Sequence, residues 1–438
     1  MLRVRTAQAR AGMELAMPVF HPKRHDTLLL RTGVKLEPAT IRRLREMNMP
    51  ELWIRYPSLE IVSDYVNPAV YAQRAVVTRQ IADAYDSFST HVDAELDFGD
   101  FRDAMNGMIG MLSEQPRTAL FLSEMVEAGQ PEVRHASNVA FLSVLMGLRL
   151  EFYLMKERSR LRGAYAKNVA NLGVAGMMHD IGMLRLDEET IERWERTGDE
   201  EDEAWREHVM IGYNLVRGEL EPSAAAAVLH HHQKFDGSGF PWRTTFGGEE
   251  VPMAGSDIHV YARVVAAADL FDRLMHPPGA QPDDPEVPLP VVRVLHRMQQ
   301  EPYRSWIDPV VLSGLISVAP PYPPGSVVRL SNGMRGVVVS WAPADPCRPE
   351  IVEVTETLEA SDDDTPGARI DLREHPEWCI AEIDGHDVTE DNFSPEDTGC
   401  PPLDSIARAM VVGAQPPESK PPESKAPEPE APEQRKAG

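Results

Sequence analysis

The longest regular pattern in the chain is helical. From about residue 66 to residue 318, apolar residues recur at spacings of three and four, and glycine or proline interrupts the pattern. This spacing puts apolar side chains on one face of each helix, so neighbouring helices can bury them against one another. The pattern therefore predicts a helical domain over residues 66–320, large enough to enclose a site.

Both flanks of this domain have strand-like patterns. Residues 1–65 combine the short apolar runs LAMPVF, TLLLRTG and ELWIRY with one helical segment, KLEPATIRRLREMN, which predicts a small α/β module. After PPYPPG, β-branched residues cluster in SVVRL, RGVVVSW and EIVEVTE, which predicts a small β-rich domain over residues 321–412. Residues 413–438 repeat PPESK and have almost no apolar residue to bury, so we expect a disordered tail. The predicted fold class is mainly α.

Charge and composition exclude several functions. The chain has 438 residues with 69 acidic and 44 basic side chains, a formal charge of −25, which argues against a surface for duplex nucleic acid. An anionic ligand would have to bind through metal ions or a few local cations. No apolar run approaches the ~20 residues that span a bilayer, so we expect a cytoplasmic protein without membrane insertion. Three scattered cysteines without CxxC spacing predict neither a disulfide framework nor a thiolate metal site.

Half of the histidines are concentrated in one part of the helical region: seven of the 14 fall between residues 135 and 259. His135 shares a stripe with Val139 and Leu142 and should therefore point inward. His179 and Asp180 follow a helix rich in alanine and glycine, which we expect to end near Gly182. A His-Asp pair alone is weak evidence, because it also fits a helix-terminal histidine beside an exposed aspartate.

A second group of histidines ends a helix that should begin near Pro222. His230, His231 and His232 cannot all face one way on a helix, so at least one of them should be structural. The loop QKFDGSGFP follows directly, and its glycines would let the backbone approach a ligand closely. His208, on another predicted helix, is ambiguous when taken alone.

Asp269 is the most informative carboxylate. Ile258, Ala262 and Val265 define a buried stripe, and the next step of four residues reaches Asp269. A buried carboxylate is costly unless it is paired or binds a metal. Metal ligation is one solution, and a salt bridge to a nearby arginine, Arg263 or Arg273, is the other.

These candidates share one property: each has a nitrogen or oxygen atom that can bind a metal. The set is His135, His179, Asp180, His208, His231, His232 and Asp269. Five imidazoles and two carboxylates exceed the needs of one tetrahedral ion, and mixed N/O ligation suits iron or manganese better than a thiolate-rich zinc site. We therefore predict two divalent metal ions that activate water against a phosphoester.

The order of these motifs resembles the HD-GYP family of metal-dependent phosphohydrolases, which are best known as cyclic di-GMP phosphodiesterases. The resemblance runs through RHASNVA, HDIGM, His208 with Gly212, HHHQKFDGSGFP and ARVVAAADLFD, and so covers about residues 130–320. It implies an all-helical HD-type domain in which Asp180 bridges two metals and the other six residues complete the ligand set. Asp180 and His179 would be the catalytic pair, and the flanking segments resemble modules that accompany this domain.

The chain departs from the family pattern at several positions. Met183 stands where the family usually has a lysine, Phe240 replaces the tyrosine of the GYP motif, and Gln233 replaces a glutamate. The segment MHPPGAQPDD stands in place of an Arg-Pro-Tyr-like segment that helps hold the nucleotide. Pro131 stands where some members have a glutamate for a third metal, which is why we expect two.

The leading hypothesis is hydrolysis of cyclic di-GMP or a related nucleotide by metal-activated water. The substrate contacts that the resemblance and the loop suggest are Lys234, Gly237, Gly239, Phe240, Pro241, Arg243 and Arg263. One alternative is a catalytically weak sensor or scaffold that binds metal and nucleotide; another is a phosphohydrolase of a different nucleotide. A homodimer or a signalling protein partner is compatible with each of these hypotheses.

Overall fold

The computed structural model describes residues 1–21, 24–47, 49, 51–66, 68–90, 98–114, 131–280, 287–354, 367–394 and 400–413. Within these ranges the chain is mainly helical, with its larger sheets at the two ends, and this confirms the predicted fold class. The predicted domain limits at residues 65, 320 and 412 stay predictions. Beyond residue 413, the predicted tail lies outside the described residues.

The N-terminal module is built from two small antiparallel pairs and one helix. Strand β1 (Leu2–Arg5) pairs with β4 (Glu51–Ile54), and β2 (Val19–His21) pairs with β3 (Arg24–Leu30). Helix α1 (Pro38–Glu46) begins at a proline, which is favourable in a first helical turn. It buries Ile41 and Leu44, as the spacing of apolar residues predicted. Strand β1 was not predicted, because its alternating Arg and Val residues match no long apolar run.

The helices follow one another from Pro68 to Ile316. They are α2 (Pro68–Thr90), α3 (Phe98–Glu114), α4 (Pro131–Arg149), α5 (Glu151–Glu157), α6 (Gly163–Ala166), α7 (Ala170–Met178), α8 (Glu188–Thr197), α9 (Glu203–Val216), α10 (Pro222–His230), α11 (Val260–Met275), α12 (Val291–Met298), α13 (Tyr303–Trp306) and α14 (Pro309–Ile316). A short hairpin of β5 (Arg243–Thr244) and β6 (Glu250–Val251) lies between α10 and α11. Among the described residues, no single helix is long and apolar enough to cross a membrane; only α4 and α5 taken together, bent by 85°, satisfy that length and composition.

Helix α7 lies at the centre of the helical domain because its small residues admit close neighbours. A Cβ atom on Gly176 would lie 3.0 Å from the Cα of Ala140, and one on Gly173 would lie 2.6 Å from a methyl carbon of Val144. Both of these neighbours belong to α4. The two helices therefore pack almost backbone to backbone, which brings His135 on α4 close to the end of α7.

The C-terminal sheet joins the two other parts of the chain. Its strands are β7 (Val327–Leu330), β8 (Arg335–Ser340), β9 (Glu350–Glu353), β10 (Arg369–Asp371), β11 (Ile380–Ile383) and β12 (His386–Asp387), antiparallel in the order β10-β9-β8-β7-β11-β12. Successive side chains of a strand point to opposite faces. Val337 and Val339 of β8 pack into the N-terminal core, whereas Val338 packs into the main helical core. The sheet is thus buried on both faces.

Two predicted features differ from the structure. Helix α7 ends at Met178, and Gly182 lies instead in the tight 3-10 turn that follows, Ile181–Arg185. The region predicted as β-rich also contains helix α15 (Leu403–Gly413). The short runs that form β10 to β12 were not predicted, since strands of two to four residues depend on partners distant in the chain more than on local pattern.

Candidate metal centre

The seven side chains predicted as metal ligands lie close together, and they come from five different helices or their ends. His135 lies on α4, His208 on α9 and Asp269 on α11; the other four follow the last residues of α7 and α10 directly, at His179, Asp180, His231 and His232. Asp202 caps the start of α9 with its carboxylate, which accepts a hydrogen bond from the amide of Ala204 at 3.0 Å. Four of the five histidines are buried, and His135 is nearly so.

The donor atoms form two groups that share one carboxylate. His135, His179, Asp180 and Asp269 make up the first, and Asp180, His208, His231 and His232 make up the second; within each, the ligand atoms lie within 4.8 Å of one another. Asp180 Oδ2 lies 3.4 Å from His179 Nε2 and 3.6 Å from His135 Nε2. Asp180 Oδ1 lies 3.3 Å from His231 Nε2 and 3.4 Å from His208 Nε2. The two oxygens of Asp180 therefore face different groups.

Four of the five imidazole rings are oriented by an acceptor beside Nδ1. Three of them place Nδ1 against a backbone carbonyl oxygen one turn earlier: His179 at 2.8 Å, His208 at 2.6 Å and His231 at 2.8 Å. His135 places Nδ1 against Asp272 Oδ2 at 2.7 Å. Because each of these partners can only accept, Nδ1 must donate, which leaves Nε2 with a free lone pair in the neutral ring. The lone pairs converge on the carboxylates.

Such a cluster of acceptors calls for cations between them. Asp180 Oδ1 and His232 Nε2 are buried and have no hydrogen-bond partner among the described residues. Lone pairs of nitrogen and oxygen that face each other at 3 to 4 Å repel unless a proton or a metal lies between them. Neutral imidazoles and carboxylates are ligands that divalent iron, manganese and zinc accept. These residues fit two divalent metal ions.

In the metal-free protein, protons partly replace such cations. Burial disfavours the charged form of His179, but the carboxylates of Asp180 and Asp269 outweigh it and raise the pKa of His179 to about 10. Burial dominates at His208 and lowers its pKa to about 3. Burial likewise lowers the pKa of His231 and His232, so these rings are neutral and ready to act as ligands.

Asp269 forms the salt bridge that the sequence left open as one interpretation, and it also lies in the first ligand group, as the other interpretation requires. Its Oδ1 lies 3.0 Å from His135 Nε2, within the first ligand group, and it also accepts a hydrogen bond from Arg273 Nε at 2.6 Å. Burial raises the pKa of Asp269, but Arg273 and His135 outweigh burial and hold it well below its usual range. The salt bridge to Arg273 thus stabilises the ionised carboxylate beside the histidines.

An open pocket adjoins this centre, with His231, His232 and Asp269 in its wall. Two of the predicted substrate contacts, Lys234 and Arg263, also line it. Both already have partners. Lys234 Nζ lies 3.2 Å from a Glu200 carboxylate oxygen, and Nη1 of the buried Arg263 lies 2.5 Å from Asp308 Oδ2.

The remaining predicted contacts belong to the loop after α10. A Cβ atom on Gly239 would lie 2.3 Å from the backbone nitrogen of Lys234, so the loop closes only with glycine there. Gly237 has a φ of +88°, which also favours glycine. Phe240 stacks on His232 with ring centroids 4.8 Å apart, and Pro241 accepts a hydrogen bond from Gln233 through its carbonyl oxygen. Arg243 is exposed in the β5–β6 hairpin, away from the pocket wall.

Two residues at the centre were not identified from the sequence as site residues. Asp272 orients His135 and accepts a hydrogen bond from Asn138 Nδ2 at 2.6 Å. Arg273 was considered only as a salt-bridge partner, yet it contacts Asp180 as well as Asp269. Steps of three and four residues from Asp269 reach both of them, so the helical period was the available signal.

The comparisons with known proteins match the part of the chain that carries these residues. A family model described as the HD domain matches residues 133–274. A cyclic di-GMP phosphodiesterase from Pseudomonas aeruginosa is 28% identical over 174 residues, which are 39% of this chain and 38% of that protein. A cyclic di-GMP phosphodiesterase response regulator from Xanthomonas campestris is 29% identical over 116 residues, which are 26% of this chain and 28% of that protein.

A third relative has a different named substrate. A 3'3'-cGAMP-specific phosphodiesterase from Vibrio cholerae is 28% identical over 103 residues, which are 23% of this chain and 18% of that protein. The chain spans well under half the length of each of these three relatives. The matches confirm the resemblance that the order of motifs suggested.

Proposed function

We propose that this chain is a metal-dependent phosphodiesterase that hydrolyses cyclic di-GMP, since residues 133–274 match a model of the HD domain and the relatives described above are named as phosphodiesterases. The observation that carries the proposal is the pair of ligand groups that share Asp180. Two metals held in this way, iron or manganese by their ligand types, would neutralise a phosphoryl oxygen and lower the pKa of a water. A cytoplasmic location and a homodimer or signalling partner stay predictions.

The residues would divide the work as follows. His135, His179 and Asp269 would hold one metal, His208, His231 and His232 the other, and Asp180 both. Asp180 and His179 would be the catalytic pair, because Asp180 belongs to both groups, His179 Nε2 lies 3.4 Å from its carboxylate, and both residues lie where the chain turns sharply after α7. The backbone carbonyls behind His179, His208 and His231 would keep their Nε2 atoms aimed at the centre, as Asp272 would for His135, so little reorganisation of these rings is needed when metal binds.

Two alternatives have specific support. Met183 packs into an apolar cluster with Trp205, Val209 and Phe240. This position, where the family usually has a lysine, therefore offers no positive charge to a phosphate, which favours a sensor with weak turnover. The relative that acts on 3'3'-cGAMP favours a phosphodiesterase of another cyclic dinucleotide.

The test measures metal content and turnover on the same anaerobically purified protein. We expect about two metals per chain, and conversion of cyclic di-GMP to the linear dinucleotide or GMP in the presence of iron or manganese. The double substitution His179→Ala/Asp180→Ala should remove metal and abolish turnover, and Asp180→Asn, which keeps the side-chain shape, should lower both.

The chain offers a control of identical composition. His386 and Asp387 form another His-Asp pair, in β12 of the C-terminal sheet, so His386→Ala/Asp387→Ala should keep both metals and full turnover. Retained metal in the His179/Asp180 variant would contradict the proposed centre. Two metals with no turnover of cyclic di-GMP would leave the sensor and the alternative nucleotide, and 3'3'-cGAMP assayed in parallel would separate those two.

A further inference from the structure

Arg273 is the one arginine of the described residues that both lines the pocket and contacts the ligand carboxylates. Its Nε donates to Asp269 Oδ1 at 2.6 Å, and its Nη2 donates to Asp180 Oδ2 at 3.3 Å. The third nitrogen, Nη1, is buried and has no hydrogen-bond partner among the described residues. Two nitrogens of the guanidinium are thus hydrogen-bonded to the two carboxylates, while the third nitrogen is a donor without an acceptor.

The Arg273 guanidinium lies over two stacked tryptophan rings. Trp194 of α8 and Trp205 of α9 stack with ring centroids 3.9 Å apart and planes 12° apart. The Arg273 Cζ lies 5.0 Å from the Trp194 ring centroid and 5.6 Å from that of Trp205. An arginine held over aromatic rings and tied to two carboxylates loses little conformational entropy when it binds a further ligand.

An orphaned buried N–H is costly, because it has left water without gaining an acceptor. Guanidinium groups bind phosphate with particular strength, since their planar donors match the tetrahedral oxygens. We propose that Arg273 binds a non-bridging oxygen of the substrate phosphate through Nη1, and is thereby a substrate-binding residue of this centre. The inference deepens the proposed function and rests on it for the identity of the substrate.

The other pocket cations are less available. Lys234 is paired with Glu200, and its ammonium lies 3.4 Å from the ring centroid of Trp306. Arg263 is buried against Asp308 and Glu157, and Tyr153 accepts a hydrogen bond from it at 2.7 Å. Arg273, in contrast, adjoins Asp180, the carboxylate shared by both metal groups. Under the proposal, a phosphate bound at the metals would therefore accept a hydrogen bond from its unused donor.

The experiment uses the manganese-loaded chain of 438 residues and inorganic phosphate as the probe. Phosphate affinity is measured by calorimetry in the wild type, in Arg273→Gln and in Arg273→Lys, with metal content determined on the same samples. We expect Arg273→Gln to weaken phosphate binding about 10- to 100-fold, the loss of one charge-assisted hydrogen bond. Arg273→Lys should lie between, and the KM for any hydrolysed nucleotide should rise with the same ranking.

A matched control removes a positive charge elsewhere. Arg297 is exposed on α12, outside the pocket wall, so Arg297→Gln should bind phosphate as the wild type does. Wild-type affinity in Arg273→Gln, or no phosphate binding by the wild type, would overturn the proposal. If Arg273→Gln loses metal, Arg273→Lys decides: unchanged phosphate affinity, or loss of metal there too, means that Arg273 only holds Asp269 in place.

These readouts separate the two proposals. Phosphate binding is measured without turnover, so an Arg273-dependent affinity in a protein that leaves cyclic di-GMP intact would refute the proposed substrate and support the role of Arg273. Turnover of cyclic di-GMP with a phosphate affinity independent of Arg273 would support the proposed substrate and refute the role of Arg273.

Discussion

Replacing Gly182 with alanine should dismantle one side of the metal centre. A Cβ atom at this position would lie 2.0 Å from the carbonyl oxygen of His208 and 2.6 Å from the backbone nitrogen of Gly212. Both are backbone atoms of α9, so no side-chain rotation can relieve the overlap. Since a carbon and an oxygen need about 3.4 Å, α9 or the turn after α7 would have to move by more than about 1 Å.

A displacement of this size is large for a metal site, where ligand distances tolerate about 0.2 Å. His208 would shift directly, because its own carbonyl oxygen is the atom in collision. Overpacking a core usually costs about 1 to 3 kcal/mol, and a clash between backbones belongs at or above the upper end. We therefore expect Gly182→Ala to lose the metal that we propose is bound by His208, His231 and His232, and to unfold at lower temperature.

The chain contains a control with the same chemical change. Gly110 is exposed on α3, and a Cβ atom there would have no neighbour within 4 Å. Gly110→Ala should therefore raise stability by about 1 kcal/mol through helix propensity and leave metal content unchanged. Metal analysis and thermal unfolding followed by circular dichroism would check both variants. If Gly182→Ala holds two metals and unfolds at the wild-type temperature, the argument from backbone contact is refuted.

Two further predictions concern stability. Asp308→Ala leaves the buried Arg263 with one partner fewer and should cost about 3 kcal/mol or more in urea unfolding, whereas Glu350→Ala, at an exposed ion pair, should cost less than about 1 kcal/mol; equal losses would contradict this. Burial, helped by the charge of Arg158, lowers the pKa of His259 to about 4. The contribution of His259 to the free energy of unfolding is therefore complete above about pH 6.5, and it falls by about 3 kcal/mol as the pH drops to 4. His259→Asn keeps a hydrogen-bond acceptor at the start of α11 but does not titrate in this range. The free energy of unfolding of this variant, measured at successive pH values, should therefore change less between pH 6.5 and 4 than that of the wild type.

The helices and the candidate ligands were accessible from the sequence because both depend on local pattern. A carboxylate at Asp269 or an imidazole at His135 stands out on an apolar stripe, since burial of such groups requires a partner. The three adjacent histidines also behave as their spacing requires: His231 and His232 join a ligand group, and His230 does not. These inferences need only the helical period and the cost of burial.

What the sequence could not supply depends on tertiary neighbours. The role of Arg273 becomes visible only when α8 and α9 bring Trp194 and Trp205 beneath its guanidinium. From the sequence, Arg273 is one of two arginines near Asp269, and the other, Arg263, proves to be paired elsewhere. Similarly, the last strands of the C-terminal sheet are too short to be distinguished from turns until they pair.

The metal centre also depends on residues outside the segment that matches the HD domain. Arg74, fully buried on α2, donates to the Asn138 side-chain oxygen, Asn138 donates to Asp272, and Asp272 fixes the ring of His135. Each link determines the orientation of the next, because an amide and a carboxylate each have distinct donor and acceptor sides. Helix α2 also packs against β3 of the N-terminal module. The position of His135 is therefore set partly by helix α2, which follows this module in the chain.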